Sequence, residues 1–242
     1  MPYSDFLKLA RFNTPTVYNG LEAITSHDRT GEFFNLEETV DFLPEAGAMI
    51  GRAVTIIVEP SNPEHKTANL NASAEYRAYV AGMDGPKIAV VQDLDKPRVI
   101  GSFWGEVNAS IHKALGCVGT ITDGGARDLD EMRAMGFKAI AKRTCVGHAY
   151  STPVEWGGEV DVFGCHVRPG QLIHADKHGF LVIPEEDEAQ LLDAVTFLDA
   201  LEIDTTISAA RHASGKTLDE TVDAINEASK VFKAAYKDRF GK

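Results

Sequence analysis

Apolar positions in the first two thirds of the chain fall into short continuous runs alternating with stretches of helical period. Residues 4–12 and 14–25 read as two short helices interrupted near Pro15. "AGAMIGRAVTIIVEP" is a long strand or strand pair ended by Pro60, and "ASAEYRAYVAGMDGPK" is helical until its glycines stop it. "KIAVVQDLD" predicts a strand, and "RVIGSFWGE" predicts another that turns into the helix "VNASIHKALG". "CVGTITDGG" then reads as strand and turn, "LDEMRAMG" as a short helix stopped at Gly136, and "FKAIAKRTC" as a further strand. From Val154 to Glu186 short β runs are separated by Gly-Gly, Pro-Gly and His-Gly pairs, which predicts hairpins.

From Glu185 onward the pattern is helical. In the last segment Leu218, Val222, Ala224, Ile225, Ala228, Val231 and Phe232 form a stripe suited to a core or an oligomer contact. No repeat or long linker divides the chain. The expectation is one α/β domain, with a core over about 15–190 and a helical C-terminal extension over about 186–242.

Composition narrows the class. With 242 residues and 44% hydrophobic content the chain can bury a full core. A formal charge of -12 argues against a nucleic-acid partner, because such binding depends on Lys and Arg neutralising phosphates. No apolar run is long enough for a bilayer and the N-terminus lacks a secretory pattern, so no membrane partner and a cytoplasmic location are expected. Cys117, Cys145 and Cys165 are isolated, which excludes a disulfide framework and CxxC motifs.

The chemistry concentrates between residues 100 and 131. Gly105-Glu106 opens a helix, where unpaired backbone N–H groups suit a carboxylate or phosphate. "TDGGARDLDEM" repeats that arrangement with more charge: a flexible glycine pair sets Arg127 and Asp128 at a second helix start. Asp128 and Glu131 would serve there simply as a capping pair. Alternatively Asp128 offers a hard oxygen ligand to a divalent cation and Arg127 a fork for a carboxylate. Asp123 and Asp130 read as solvated or structural charges.

The combination of Gly105, Arg127, Asp128 and Glu131 with "GEVDVFGCHVRPGQLIHADKHGFLVIPEE" resembles the RraA-like family, which includes the class II pyruvate aldolases acting on 4-hydroxy-4-methyl-2-oxoglutarate. The likeness extends over about residues 45–190. Gln171 and His178 depart from the acidic residues usual in the family's hairpin.

The resemblance implies a swivelling β/β/α sandwich assembled as a trimer or hexamer, with clefts between subunits. It implies that Asp128 ligates Mg²⁺ or Mn²⁺, with Glu131 one step behind it. Arg127 would bind the 2-oxo acid and steady its enolate. The amides of Gly105, Glu106, Val107 and Asn108 would hold its carboxylate, and Glu106 would position a proton-carrying water. Glu202 or Asp204 of a neighbouring subunit would complete the ion's surroundings. The implied activity is cleavage of a 4-hydroxy-2-oxo acid to pyruvate through a metal-stabilised enolate, with oxaloacetate decarboxylation as a side reaction.

Other readings compete. Lys138 and Lys142 would be the lysines of a Schiff-base aldolase. His174, Asp176 and His178, with His166 nearby, would be a zinc cluster. His148 would line a cleft, and Trp104 and Trp156 would be packing residues. A regulatory protein that binds a ribonuclease or another partner, without catalysis, is the alternative function. Nothing resembles a methyl-donor site.

Overall fold

The computed structural model describes residues 1–31 and 33–241. The chain gathers into two compact units, Met1–Thr14 with Thr30–Glu185 and Pro15–Arg29 with Glu186–Lys242. Among the described residues no helix is long and apolar enough to cross a membrane.

The first unit begins with α1 (Tyr3–Leu9) and is built on a mixed sheet. Its strands are β1 (Val40–Asp41), β2 (Met49–Val58), β3 (Lys87–Asp93), β4 (Ser102–Trp104), β5 (Cys117–Ala126), β6 (Lys138–Thr144) and β7 (Pro153–Trp156). They are followed by β8 (Val160–Val162), β9 (Cys165–Val167), β10 (Leu172–Asp176) and β11 (Gly179–Ile183). The main order is β1-β6-β5-β3-β2-β10-β11, with β4 joined to β5 and β7 to β2. The centre, β2-β3-β5-β6, is parallel, while β10–β11 is an antiparallel hairpin and β8–β9 forms a separate antiparallel pair.

Covering on both faces explains why the central strands are continuous apolar runs rather than alternating ones. Ala89 and Val91 of β3 pack in one cluster with Tyr76, Val80, Ala109 and Met132. These last four come from α4 (Ala72–Gly82), α5 (Glu106–Ala114) and α6 (Leu129–Ala134), which follow the short α3 (His65–Ala68). Ile88 and Val90, on the opposite pleat, pack in a second cluster with Val160, Phe163, Val167, Ile173 and Phe180. Helices on one face and β ribbon on the other make this unit a β/β/α sandwich, as the family resemblance implied.

Two strand lysines are buried for stated electrostatic reasons. Lys87 donates from Nζ to Val80 O at 2.9 Å and Leu115 O at 2.7 Å, neutralising the carbonyl ends of α4 and α5 together. Lys138 donates to Asp41 Oδ2 at 2.6 Å and Leu43 O at 2.9 Å, which ties β1 to the sheet edge. All three cysteines are buried.

The second unit contains residues from α2 (Thr14–Ile24) and the C-terminal helices α7 (Glu188–Glu202), α8 (Ser208–Arg211) and α9 (Leu218–Phe240). A π-helical turn, Ile203–Ile207, joins α7 to α8. Gly20 allows α2 to press on α7, since a Cβ there would lie 2.4 Å from Val195 Cγ2. α9 starts in a capping box: Thr217 Oγ1 accepts Glu220 N–H at 3.2 Å, and Glu220 Oε2 accepts Thr217 N–H at 2.8 Å. Phe197, Tyr236 and Phe240 pack ring to ring, yet α9 has no buried residue along the apolar stripe seen in the sequence.

Candidate active site

Strands β4 and β5 run parallel, Ser102 beside Gly125 and Trp104 beside Ala126, so their C-terminal ends emerge together. Ser102 fastens the pair: its Oγ lies 2.6 Å from Trp104 O and 2.7 Å from Gly125 O, and accepts Trp104 N–H at 3.0 Å. Arg127 N–H then donates to Trp104 O at 3.2 Å. A cleft of about 260 Å³ opens at this point, lined by Ser102, Phe103, Trp104, Gly105, Val107, Asn108, Arg127 and Asp128, with Lys66, His148 and Ser151.

The capping reading of Asp128 is not what the side chain does. Asp128 occupies the N-cap position of α6 in left-handed backbone, φ 54° and ψ 44°, and makes no side-chain cap bond. A non-glycine residue there carries a strain of about 1 kcal/mol, which such residues often bear at functional sites. Its carboxylate turns instead toward α5, accepting Glu106 N–H on Oδ2 at 3.0 Å, with Arg127 Nε 3.7 Å away. Both side chains remain about one-third exposed. Arg127 also donates to Val146 O at 3.3 Å.

Gly105 is needed for this approach. A Cβ at that position would lie 2.6 Å from Asp128 Oδ2 and 3.1 Å from Arg127 Nε. At the start of α5 the Glu106 amide is engaged by Asp128, whereas the Val107 and Asn108 amides have no backbone acceptor among the described residues. These two are first-turn donors of the kind that receive anions. Asn108 is held by its own side chain, which donates to Phe103 O at 2.6 Å. Behind it, His112 bridges Asn108 O at 2.7 Å and the Tyr76 hydroxyl at 2.9 Å. Burial pushes His112 down to about 4, so the imidazole is neutral and packs edge-on against Trp104. The Trp104 Nε1–H is buried without a partner among the described residues.

The glycine pair corrects the sequence expectation. Gly124 and Gly125 form no flexible turn: β5 continues through them to Ala126. Their small size makes room, since a Cβ on Gly124 would lie 2.8 Å from Asp93 Oδ2, and one on Gly125 2.3 Å from Cys145 Sγ. Of the two roles left open for Asp123, solvated or structural, the structure shows the structural one. It is buried, accepting Asp93 N–H on Oδ1 and Lys96 Nζ on Oδ2, both at 2.7 Å. Burial raises its pKa against the opposing pull of Lys96.

Asp93 was not singled out from the sequence. It too is buried, and burial pushes it up to about 7 despite the Asp95 N–H bond, with the Asp95 and Asp123 charges adding to the rise. An acidic residue closing the apolar run "KIAVVQD" was the available signal.

The other expected residues lie as follows. Glu106 is exposed and Glu131 is exposed, and neither side chain lines the cleft. Glu202 and Asp204 belong to the second unit, where Glu202 accepts Asn19 Nδ2 at 3.5 Å and Asp204 is exposed. Lys138 is committed to a buried ion pair with Asp41 at 2.6 Å rather than lining an apolar substrate pocket of the kind a Schiff-base lysine needs. Lys142 is exposed near Glu37.

Among the described residues no group of three or more His, Cys, Asp or Glu side chains is placed to hold a metal. His174 is instead buried between Thr14 Oγ1 at 3.0 Å and Leu9 O at 3.2 Å, and Asp176 accepts Thr14 N–H at 3.0 Å. His166 is bracketed by Glu159 and Asp161 at the surface. Trp104 is fully buried packing, and Trp156 packs at the cluster's margin, 6.3 Å from the Tyr76 ring. His148 lines the cleft, as expected, with Nδ1–H donating to Ala149 O at 2.8 Å.

Comparison with known proteins adds to this geometry. The family profile described as RraA-like, Aldolase/RraA, matches residues 16–182. A protein of Halalkalibacterium halodurans, named provisionally as a 4-hydroxy-4-methyl-2-oxoglutarate aldolase, is 28% identical over 162 residues, 65% of this chain and 70% of that protein. An uncharacterized protein from Pseudomonas syringae pv. tomato superposes with a TM-score of 0.69 at 19% identity, covering 91% of this chain and 93% of that one. A Streptomyces coelicolor protein described as an unusual member of the RNase ES inhibitor RraA protein family superposes with a TM-score of 0.64 at 19% identity, covering 84% and 96%. At these identities the two structures speak to the fold.

Proposed function

Because the chain belongs to the RraA-like family described as Aldolase/RraA, we propose that the cleft at the ends of β4 and β5 is the active site of a divalent-metal-dependent carbon–carbon lyase. The reaction is cleavage of a 4-hydroxy-2-oxo acid to pyruvate, with oxaloacetate decarboxylation as a side activity. The observation that carries this reading is the Asp128 carboxylate, held in strained backbone, turned away from its own helix and set beside Arg127 over a glycine.

The residues fit a hard cation of the Mg²⁺ or Mn²⁺ type. One carboxylate with one oxygen unengaged suits an ion that takes one or two protein carboxylates and fills its remaining positions with water and substrate oxygens. Asp128 would hold the ion, and Glu202 or Asp204 of a neighbouring subunit in a trimer or hexamer would add a further carboxylate. The ion supplies Lewis acidity at the 2-oxo group.

The chain's own groups do the rest. The Val107 and Asn108 amides receive the substrate carboxylate at the start of α5. Arg127, permanently charged, places its guanidinium where the enolate oxygen gains charge as the C3–C4 bond breaks. The C4 hydroxyl proton leaves to water in the cleft, C4 becomes a carbonyl, and the C3–C4 electron pair passes to C3, which is then protonated to give pyruvate. Trp104 and Phe103 close the floor against solvent.

A screen of 2-oxo acids with Mg²⁺ or Mn²⁺, coupled to pyruvate detection and repeated with EDTA, tests the reading. Asp128→Ala should abolish metal-dependent turnover with an unchanged melting temperature. Normal turnover in that variant, or no pyruvate from any 4-hydroxy-2-oxo acid, sinks the aldolase assignment. The second outcome favours a protein-binding role like that named for the Streptomyces relative.

A further inference from the structure

Cleavage of a 4-hydroxy-2-oxo acid moves a proton from the C4 hydroxyl to C3, and the reading above names no side chain that carries it. Glu106, the residue expected to help, is exposed and does not line the cleft. Few groups of the lining can take up a proton. Arg127 and the Lys66 ammonium offer donors and no acceptor, Asp128 is reserved for the ion, and the Asn108 amide is spent on Phe103 O. Among the described residues of the lining, His148 is the titratable side chain that remains.

The chain builds a seat for that histidine. Ser102 N–H donates to Gly147 O at 3.0 Å and Tyr150 N–H to Pro60 O at 3.0 Å, so segment 147–151 is stapled to β4 and to the exit of β2. Ser151 N–H closes a turn onto His148 O at 3.0 Å. Gly101 permits the docking, since a Cβ there would lie 2.7 Å from His148 O. Ala149 takes left-handed backbone, φ 48°, a conformation uncommon for a residue with a Cβ and concentrated at functional sites. Its carbonyl accepts His148 Nδ1–H at 2.8 Å. With a proton held on Nδ1, the lone pair of the neutral ring lies on Nε2. Nε2 has no hydrogen-bond partner among the described residues. One nitrogen anchored and the other open is the arrangement a histidine needs to accept and return a proton.

We propose that His148 is the general base of the cleft, its Nε2 taking up the C4 hydroxyl proton through the cleft water and then delivering it to C3. This rests on the reading of the cleft given above and deepens it by naming the carrier of the proton. The O–H and C3–C4 bonds break, the oxygen's electron pair forms the C4 carbonyl, and the C3–C4 pair becomes the enolate. The proton on Nε2 then forms the new C–H bond at C3, which completes pyruvate. His148 ends neutral, with Nδ1–H still donated to Ala149 O.

The last step run backwards needs only pyruvate. The full-length chain with Mg²⁺ and pyruvate in D₂O is followed by proton NMR. Nε2 removes a methyl proton, exchanges it with solvent and returns a deuteron, a route open to an exposed histidine. His148→Gln, neutral and of similar reach, should slow methyl exchange about 100-fold or more, the range for a positioned base. Oxalate, a planar mimic of the pyruvate enolate, binds without any proton transfer. Its calorimetric affinity should therefore stay within about twofold in the same variant.

Methyl exchange in His148→Gln within about threefold of wild type overturns the proposal, as does a wild type that exchanges nothing. Oxalate binding lost in step with exchange overturns it as well, because His148 would then shape the cleft rather than carry a proton. A wild type that exchanges through His148 yet releases no pyruvate from any 4-hydroxy-2-oxo acid refutes the lyase reading alone. Pyruvate release with exchange indifferent to His148 refutes the base alone.

Discussion

Gly105→Ala is a one-carbon test of whether the Arg127–Asp128 arrangement matters for function. The backbone at Gly105 is extended, φ -168° and ψ -175°, so alanine meets no conformational penalty. Its Cβ would lie 2.6 Å from Asp128 Oδ2, 3.1 Å from Arg127 Nε and 3.3 Å from Arg127 Cγ. Relief needs a displacement on the order of 0.5–1 Å. The atoms that move are ends of side chains about one-third exposed, so they yield cheaply.

The cost to the fold is correspondingly small. Removing a glycine from the unfolded chain stabilises by about 0.4–1 kcal/mol, which offsets much of the clash. Net stability should change by less than about 1 kcal/mol. Function should respond far more, because a misplacement near 1 Å can cost about 100-fold in rate. The measurements are kcat/KM for pyruvate release, Mn²⁺ affinity by calorimetry, and a thermal melt. A variant with wild-type kcat/KM and wild-type Mn²⁺ affinity would refute the reasoning. So would a variant that fails through unfolding.

Two further predictions concern buried charge. Asp93 has a folded pKa of about 7 against an ordinary value of 3.8, so the folded state holds its proton more tightly than the unfolded chain does. Its contribution therefore erodes as pH rises from about 4 to about 7 and stays lost above that, by up to about 4 kcal/mol. Asp93→Asn should be more stable than wild type at pH 8 and similar at pH 4 in urea unfolding; a pH-independent difference would contradict this. Lys138→Met strands the buried Asp41 carboxylate and should cost about 3–5 kcal/mol, while Lys138→Met with Asp41→Leu should recover most of it. Equal loss in the double variant would mean that the pair acts through something other than charge.

Much of the architecture was legible because its causes are local. Continuous apolar runs marked the central strands, and the helical period from Glu185 onward marked the C-terminal helices. The misread features depend on partners far along the chain. Gly124 and Gly125 looked like a flexible turn, but their partners are Asp93 and Cys145, which no local pattern associates with them. Asp123 read as solvated or structural, and the choice between them rests on β3 setting the Asp93 amide against it and Lys96 closing over it. The helix start at Leu129 could be seen, yet the direction of the Asp128 carboxylate depends on an amide of the preceding helix.

The spacing between Gly105 and Arg127-Asp128 has a mechanical origin. β4, α5 and β5 form one strand–helix–strand crossover, and parallel pairing of its two strands returns the chain to the edge it left. Whatever follows β4 must then sit beside whatever follows β5. Residues about twenty positions apart become neighbours because that is the length of one crossover. One end contributes a helix start with open amides, the other an arginine and a carboxylate. A deletion within α5 would rotate Val107 and Asn108 away from Arg127 without touching any charged group. Loss of ligand binding there would therefore report on register rather than on charge. This is why a spacing tied to a glycine, rather than the charged run by itself, identifies the cleft.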